Sequence, residues 1–250
     1  MKIIYFNKEG KEHRTDGPAY IDKSEGLQAW YQNGQRHRLD GPAYINTSNG
    51  MEKWYHHGKL HREDGPAAIY KKRGLEEWYR DGELYKEING DFEVWTKRGN
   101  KISLTGSISR VRHRVDGPAY INKKEGIEEW YLDGKHHRDG GPAVINKKTG
   151  DEKWYHHGKL HREDGPAEIN KKKGLEHWVV MGNSHREDGP AGIDKSEGIE
   201  MWARNGRYHR EDGPAFIDKK NGIEKWYHDG EEIDPPSLKE QINNIIKDVL

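Results

Sequence analysis

The stretch His61-Arg62-Glu63-Asp64-Gly65-Pro66-Ala67 is one copy of a phrase that recurs along the chain and decides its fold. His-Arg opens the phrase at positions 13, 37, 61, 113, 137, 161, 185 and 209. The spacing is 24 residues, apart from one gap of 52 between His61 and His113. A fixed period of this length is typical of repeat architectures, in which each repeat packs only against its neighbours. The sequence therefore predicts a repeat protein.

A second phrase, in most copies Trp-Tyr-x-x-Gly, keeps the same period. Its tryptophans are Trp30, Trp54, Trp78, Trp130, Trp154, Trp178, Trp202 and Trp226. In the first repeat we expect Phe6 to hold the tryptophan position, because Gly10 and His13 follow at the right offsets. About nine repeats are present by this count.

Each repeat has the pattern of two short strands and two turns. The segment Pro118–Ile121 follows an Asp-Gly-Pro turn, and Ile127–Tyr131 precedes the turn Asp133-Gly134. Two strands and two turns use up the 24 residues, so no helix fits within a repeat. Because a lone hairpin is marginal in water, successive hairpins are expected to stack edge to edge. The sequence predicts an all-β, elongated solenoid of about nine stacked β-hairpin repeats, roughly 80–90 Å long at about 4.8 Å per strand.

The composition agrees with a thin core. Hydrophobic residues make up 31% of the chain and charged residues 34%, but the nine Trp and thirteen Tyr argue against disorder, because disordered chains are poor in aromatic residues. Lys plus Arg and Asp plus Glu are both 43, so no global charge favours nucleic acid or an anionic membrane. Cysteine is absent. The sequence becomes polar from Asn7 onwards, which is too early for a signal peptide. We expect a cytoplasmic protein, in the host cytoplasm if the chain is viral.

The repeat has two irregular parts, which divide the chain into segments 1–84, 85–112, 113–233 and 234–250. In 85–112 the His-Arg phrase is missing, which is consistent with either a decayed repeat or a kink or binding loop. After Pro235-Pro236, the segment Ser237–Glu240 has the pattern of a capping box. It opens a predicted short C-terminal α-helix with the apolar stripe Leu238, Ile242, Ile245, Ile246 and Val249. This helix is expected either to cap the last hairpin or to dock on a partner or a second copy of the chain.

Positions that recur in every repeat are interpreted as structural. An acidic column lies two residues before tryptophan, on the same strand face, and we expect the arginine of each His-Arg phrase to pair with it. The aspartate of the phrase is expected to cap the turn. The acidic column is Glu52, Glu76, Glu128, Glu152, Glu176, Glu200 and Glu224.

No catalytic, cofactor or metal site is predicted. Every His and Asp of the phrase has a repeated context, whereas an enzyme needs one unique constellation, and Ser184 and Ser196 are isolated in predicted turns. His56, His57 and His61 suggest a metal site, as do the equivalent residues at 156, 157 and 161. Adjacent residues of a strand point to opposite faces, however, which separates the two neighbouring histidines.

The segment Gly150–Arg162, written Gly-x-x-x-Trp-Tyr-x-x-Gly-Lys-x-His-Arg, resembles the MORN repeat. Trp154, Gly158 and His161 match the tryptophan, central glycine and histidine of that pattern, and the match covers about residues 6–230 outside the irregular centre. Arg162 stands where MORN has glycine, and Asp-Gly-Pro-Ala is added, as in the variants of bacterial antitoxin-like and bacteriophage proteins. The resemblance implies a hairpin ribbon that contacts proteins or membranes, and it implies no chemistry.

If recurring residues are structural, function is expected where the repeats differ. One variable column follows Pro-Ala and should face away from the alanine. Its aromatic members form either an interface or a cover for the second sheet face. The candidate partner-binding residues are Tyr20, Tyr44, Tyr120 and Phe216 from this column, Tyr85, Phe92, Arg110 and Arg112 from the irregular centre, and Leu238, Ile242 and Ile245 from the C-terminal stripe.

Lysines concentrate in the turns before each glycine. They are Lys71, Lys72, Lys123, Lys124, Lys147, Lys148, Lys171, Lys172 and Lys219. Such a rim either keeps edges soluble or follows a polyanion. The sequence therefore predicts a non-catalytic scaffold that binds a partner protein, neutralising a toxin or a defence factor. The alternative is a binder of nucleic acid or anionic lipid.

Overall fold

The computed structural model describes residues 1–102, 108–235 and 237, with side chains outside 98–109. Strands make up 46% of the structure and helix 1%, so the all-β prediction is confirmed. The chain divides into two compact units, Met1–Lys135 and His136–Leu250. In the described ranges no helix is long and apolar enough to cross a membrane. The predicted C-terminal helix lies outside the described residues.

The first unit is built of short strands and a single turn of 3-10 helix, Lys71–Arg73. In chain order the strands are β1 (Lys2–Ile4), β2 (Tyr20–Asp22), β3 (Leu27–Ala29), β4 (Tyr31–Gln32), β5 (Gln35–Arg36), β6 (Tyr44–Asn46), β7 (Met51–Lys53), β8 (Tyr55–His56), β9 (Lys59–Leu60), β10 (Ala68–Tyr70), β11 (Leu75–Arg80), β12 (Glu83–Asn89), β13 (Phe92–Ile102), β14 (Ile108–Arg112), β15 (Tyr120–Asn122), β16 (Ile127–Glu129) and β17 (Tyr131–Leu132), and β18 (Lys135–His136) begins at its last residue.

The second unit continues the same pattern. Its strands are β19 (Val144–Asn146), β20 (Asp151–Lys153), β21 (Tyr155–His156), β22 (Lys159–Leu160), β23 (Glu168–Asn170), β24 (Leu175–His177), β25 (Val179–Val180), β26 (Asn183–Ser184), β27 (Gly192–Asp194), β28 (Ile199–Met201), β29 (Ala203–Arg204), β30 (Arg207–Tyr208), β31 (Phe216–Asp218), β32 (Ile223–His228) and β33 (Glu231–Ile233).

Each unit contains an antiparallel meander of the longer strands. In the first unit the pairing order is β1, β2, β3, β6, β7, β10, β11, β12, β13, β15 and β16. In the second it is β19, β20, β23, β24, β27, β28, β31, β32 and β33. The predicted edge-to-edge pairing of hairpins is therefore present within each unit.

Each regular repeat also carries a second, smaller hairpin, which was not predicted. Its two strands have two residues each. Examples are β8 with β9 and β21 with β22. Their turns have positive φ at both central residues, such as 46° at His57 and 77° at Gly58, the geometry of a type I′ turn. The predicted single strand through Trp-Tyr is thus split, because the tryptophan amide leaves the sheet and donates to the next loop. Trp154 N, for example, donates to Ala167 O at 2.7 Å.

The first repeat differs from the prediction. Tyr5, not Phe6, takes the tryptophan position: its amide donates to Ala19 O at 2.8 Å, and its carbonyl accepts from His13 N at 3.0 Å. The turn that follows ends at Gly10 and is one residue longer than in other repeats, which shifts the register by one. Phe6 is 58% exposed.

The fully buried positions are small. The alanine of every Pro-Ala is buried at 0% exposure, whereas no large side chain among the described residues is completely buried. They are Ala19, Ala43, Ala67, Ala119, Ala143, Ala167, Ala191 and Ala215. The tryptophans and tyrosines around them are mostly half-buried, so the core is thin and, in the part of the chain that the structure describes, only its alanines are fully enclosed.

In the irregular centre a loop is missing. Trp95 follows Trp78 by 17 residues instead of 24, because the loop is absent and the turn at 90–91 is two residues shorter than the turn at 71–74. Strand β12 therefore runs directly from the small hairpin into the meander. Lys86 takes the place of the arginine, with Nζ 4.8 Å from the ring centroids of both tryptophans. Its ammonium lies 3.2 Å from the carboxylate of Glu93.

Candidate functional site

Each loop of the repeat is held by its arginine. The Cζ atom of Arg162 lies 4.0 Å from the ring centroid of Trp154, Nε donates to Asp164 at 2.8 Å, and Nη1 donates to Pro166 O at 3.3 Å. A Cβ atom on Gly165 would lie only 2.8 Å from Arg162 Cζ, so glycine lets the guanidinium pass over the backbone. The hydrogen bond and the charge of Arg162 lower the pKa of Asp164.

This geometry corrects the predicted arginine–glutamate pairing. The same stack on an aromatic ring is formed by Arg14, Arg38, Arg62, Arg114, Arg186 and Arg210. Each of these arginines donates Nε to the aspartate two residues later, because that aspartate lies in the same tight loop. The acidic column does share the tryptophan face, and Glu152 accepts the indole N–H of Trp154 at 3.4 Å.

The histidine of each phrase links successive repeats. His161 N donates to Trp154 O at 3.0 Å, and His161 Nδ1 accepts the amide of Met181, in the next turn, at 3.3 Å. The equivalent bond recurs at His13, His37, His61, His113, His137, His185 and His209. These histidines are therefore structural acceptors, consistent with the interpretation of recurring residues.

We call the exposed side of these loops the loop face. It comprises loops 13–19, 37–43, 61–67 and 113–119 in the first unit, and loops 137–143, 161–167, 185–191 and 209–215 in the second. Its most exposed variable residue is the third of each phrase. Leu39 and Val115 are 81% and 83% exposed. In the second unit the position is acidic in every loop: Asp139, Glu163, Glu187 and Glu211.

Clefts open between consecutive loops. The cleft between loops 37–43 and 61–67 has a volume of about 540 Å³ and is lined by Leu39, Trp54 and His61. The cleft between loops 185–191 and 209–215 has a volume of about 500 Å³ and is lined by Trp202. The loop face thus combines a constant aromatic and arginine framework with a rim that varies from apolar to acidic.

The predicted aromatic column lies half-buried. Tyr44 lies under Arg36, whose Cζ is 5.1 Å from the ring centroid. Tyr120 contacts Phe92, with ring centroids 6.3 Å apart, and Phe216 lies at the same centroid distance from Tyr208. Tyr20, opposite Ala29 in the sheet, is also half-buried. This placement favours the cover for the second sheet face over an exposed interface.

The remaining candidate residues are scattered. Tyr85 is half-buried and Phe92 is 44% exposed, while Arg110 is exposed. Arg112 Nη1 donates to Tyr131 Oη at 3.0 Å and to Glu129 at 3.3 Å. Leu238, Ile242 and Ile245 lie outside the described residues. The structure therefore brings Phe92 and Arg112 together around Tyr120 but does not gather the set into one site.

Several lysines of the predicted rim lie against carboxylates of the neighbouring repeat. Lys71 pairs with Glu52, and Lys219 pairs with Glu200. Lys72 Nζ donates to the carbonyl of Ser48 at 2.7 Å. The positive charge of the rim is partly neutralised locally at these positions.

Two histidine clusters correct the expectation that neighbouring histidines point apart. The ligating atoms of His37, His56 and His57 all lie within 4.8 Å of one another, and the cluster at 137, 156 and 157 repeats this arrangement. The strand alternation fails because His57 has a left-handed φ in the turn. Each cluster could hold a transition metal ion. Binding through His37 would disturb its Nδ1, which accepts the amide of His57 at 3.2 Å.

No protein-family model matches the chain, and no curated protein matches its sequence. The repeated antiparallel hairpins are compatible with a β-hairpin repeat protein.

Proposed function

We propose that the chain is a non-catalytic repeat scaffold that binds a partner protein through the loop face. One observation supports this most strongly: the framework of the loops recurs, with Gly140 as the one replacement of its aspartate, whereas the third residue of the phrase varies between apolar, acidic and, at Thr15, hydroxyl side chains. Apolar residues at 81% and 83% exposure, such as Leu39 and Val115, have no role in packing the fold. Leu39 lines a cleft together with Trp54, and apolar surface that is continuous with aromatic side chains is typical of interaction surfaces.

The nature of the partner rests on the resemblance to MORN-type repeats. The variants of antitoxin-like and bacteriophage proteins favour a toxin or a defence factor as the partner. The lack of cysteine suits a reducing compartment, so we place this interaction in the cytoplasm. The polyanion alternative is less favoured, because carboxylates accompany lysines such as Lys71 and Lys219.

The test is affinity capture from nuclease-treated extract of the source organism, with the wild-type chain and with a variant carrying Leu39→Asp and Val115→Asp. Both sites are exposed, so the free energy of unfolding should stay within about 0.5 kcal/mol of the wild-type value. We expect the variant to lose a protein that the wild type retains. The control carries Lys123→Ala and Lys171→Ala. If this control loses the partner and the first variant keeps it, the lysine rim is the binding surface and the proposal is wrong.

A further inference from the structure

A cluster around Arg36 fills the space between the small hairpins and the meander. Arg36 Cζ lies 5.8, 5.1 and 5.3 Å from the ring centroids of Tyr31, Tyr44 and Tyr55. Nε donates to Tyr31 Oη at 3.1 Å. This place in the repeat is therefore occupied by one cation and three phenol rings.

The same four positions are small in one repeat of the second unit. The residues 148 positions later are Val179, Ser184, Gly192 and Ala203. All four replacements remove side-chain volume. The Met201 side chain occupies part of the freed space, with Cε 2.5 Å from the position of a Cβ on Gly192, and a cavity of about 190 Å³ remains. Ser184, Gly192 and Ala203 line it. The cavity therefore corresponds to the ring-filled space of the Arg36 cluster.

The remaining walls combine apolar, sulfur and hydrogen-bonding groups. His177 Nε2 and Ser184 Oγ lie 2.8 Å apart, so Ser184 is paired on strand β26 and not isolated in a turn as predicted. Met201 Sδ accepts from Tyr208 Oη at 3.6 Å. Ala191 and Gly192 are buried, whereas Gly206 and Tyr208 are exposed and mark the opening.

These walls suit an uncharged aromatic ring better than a cation. None of the described residues that line the cavity carries a carboxylate, and the nearby Glu168 is already paired with Lys153, so a guanidinium would enter without a free counter-charge. A thioether such as that of Met201 makes favourable contacts with aromatic rings. A cavity of about 150 Å³ is already sufficient for benzene. The His177–Ser184 pair offers a donor and an acceptor to a ring hydroxyl.

We propose that this cavity binds the phenol ring of a tyrosine presented by the partner protein, which supplies the ring that this repeat lacks. The inference rests on the proposed partner binding, but it concerns a site in the second unit that is separate from Leu39 and Val115. Burial lowers the pKa of His177, so the imidazole is neutral at pH 7, and the His177–Ser184 pair can accept a hydrogen bond from the phenol hydroxyl.

The site can be tested without the partner. Titration of the full chain with p-cresol, followed by the ring resonances of His177, should give a saturable shift. Toluene has no hydroxyl and should bind at least about fivefold more weakly, a difference within the range of one net hydrogen bond. Ser184→Ala should remove that preference while leaving toluene binding unchanged. The phenol site would be overturned if p-cresol gave no saturable shift, or if p-cresol and toluene bound with equal affinity.

The matched variant fills the cavity from within. Ala203→Tyr restores the residue that other repeats carry after tryptophan, as in Tyr31, Tyr55, Tyr131 and Tyr155. It should abolish p-cresol binding and lower the affinity for the captured partner at least tenfold. The melting temperature should not fall. If p-cresol binds the wild type but the partner binds Ala203→Tyr with unchanged affinity, the partner does not place a tyrosine here. If the Leu39 and Val115 variant loses the partner but Ala203→Tyr keeps it, the loop face binds the partner and the tyrosine site is wrong.

Discussion

Lys86 provides the sharpest test of how the irregular centre is held. In the repeat without a loop, its side chain lies between Trp78 and Trp95 and is only 18% exposed. Its partner Glu93 is 13% exposed and accepts the indole N–H of Trp95 at 2.7 Å. Burial alone would raise the pKa of Glu93, but the hydrogen bonds from Trp95 and Lys86 together lower it. Glu93 is therefore a half-buried carboxylate whose ion-pair partner is Lys86, and the charge of Arg114 lowers its pKa further.

Lys86→Ala should lower the free energy of unfolding of the first unit by about 3 kcal/mol. Removing one partner of a buried ion pair costs roughly 3–5 kcal/mol, and the surviving indole hydrogen bond places this case at the lower end. The assay is urea unfolding followed by tryptophan fluorescence. Because isosteric apolar replacement of both partners is often neutral, the double change Lys86→Met with Glu93→Leu should recover most of the loss.

The matched control is Lys153→Ala. Lys153 pairs with Glu168 at 2.7 Å, but the two side chains are 46% and 25% exposed, so this pair is screened by solvent. Its loss should cost less than about 1 kcal/mol. If Lys86→Ala costs no more free energy of unfolding than Lys153→Ala, Lys86 does not act as a buried counter-charge and does not replace the loop arginine.

Three further predictions concern the framework. Arg162→Ala should lower the melting temperature by several degrees, because the stack on tryptophan and two hydrogen bonds are lost together. Lys171→Ala should be nearly neutral. Equal shifts of the two variants in thermal denaturation would contradict the structural role of the arginine. Burial and the neighbouring imidazoles lower the pKa of His37 and His137, so the unfolded chain binds these protons more tightly. Stability should be complete above pH about 6.5 and decline as the pH falls below it, and urea midpoints at pH 7.5 and 5.5 that rise on acidification would contradict this. The repeat in the sequence predicts an elongated solenoid, so small-angle X-ray scattering should give a radius of gyration well above the roughly 18 Å of a globule of this length.

The parts of the fold that repeat could be predicted from the sequence. The segments Pro118–Ile121 and Ile127–Tyr131 mark a recurring hairpin, and the structure pairs β15 with β16 there. The small second hairpin was missed because two-residue strands have no periodicity of their own. The arginine partner was misjudged because strand alternation places residues on faces but does not describe how a loop folds back over a tryptophan.

The candidate sites were less predictable, for a related reason. The variability of Leu39 was visible in the sequence, but its exposure depends on the loop that Arg38 holds against Trp30. The cavity near Ser184 required four positions from different strands to be compared in space. The signal was present as small residues at aligned positions, such as Gly192 in the column that holds Tyr20, Tyr44 and Tyr120, but only the structure shows that they share one space.

Hydrogen-exchange mass spectrometry of the chain with and without its captured partner tests the proposed binding surface most directly. If the loop face binds the partner, peptides covering residues 37–43 and 113–119 should exchange more slowly in the complex. Peptides covering the lysine turns at 70–74 and 146–150 should be unchanged. Protection confined to the lysine turns, with the loops exchanging as in the free chain, would contradict the loop face as the interaction surface.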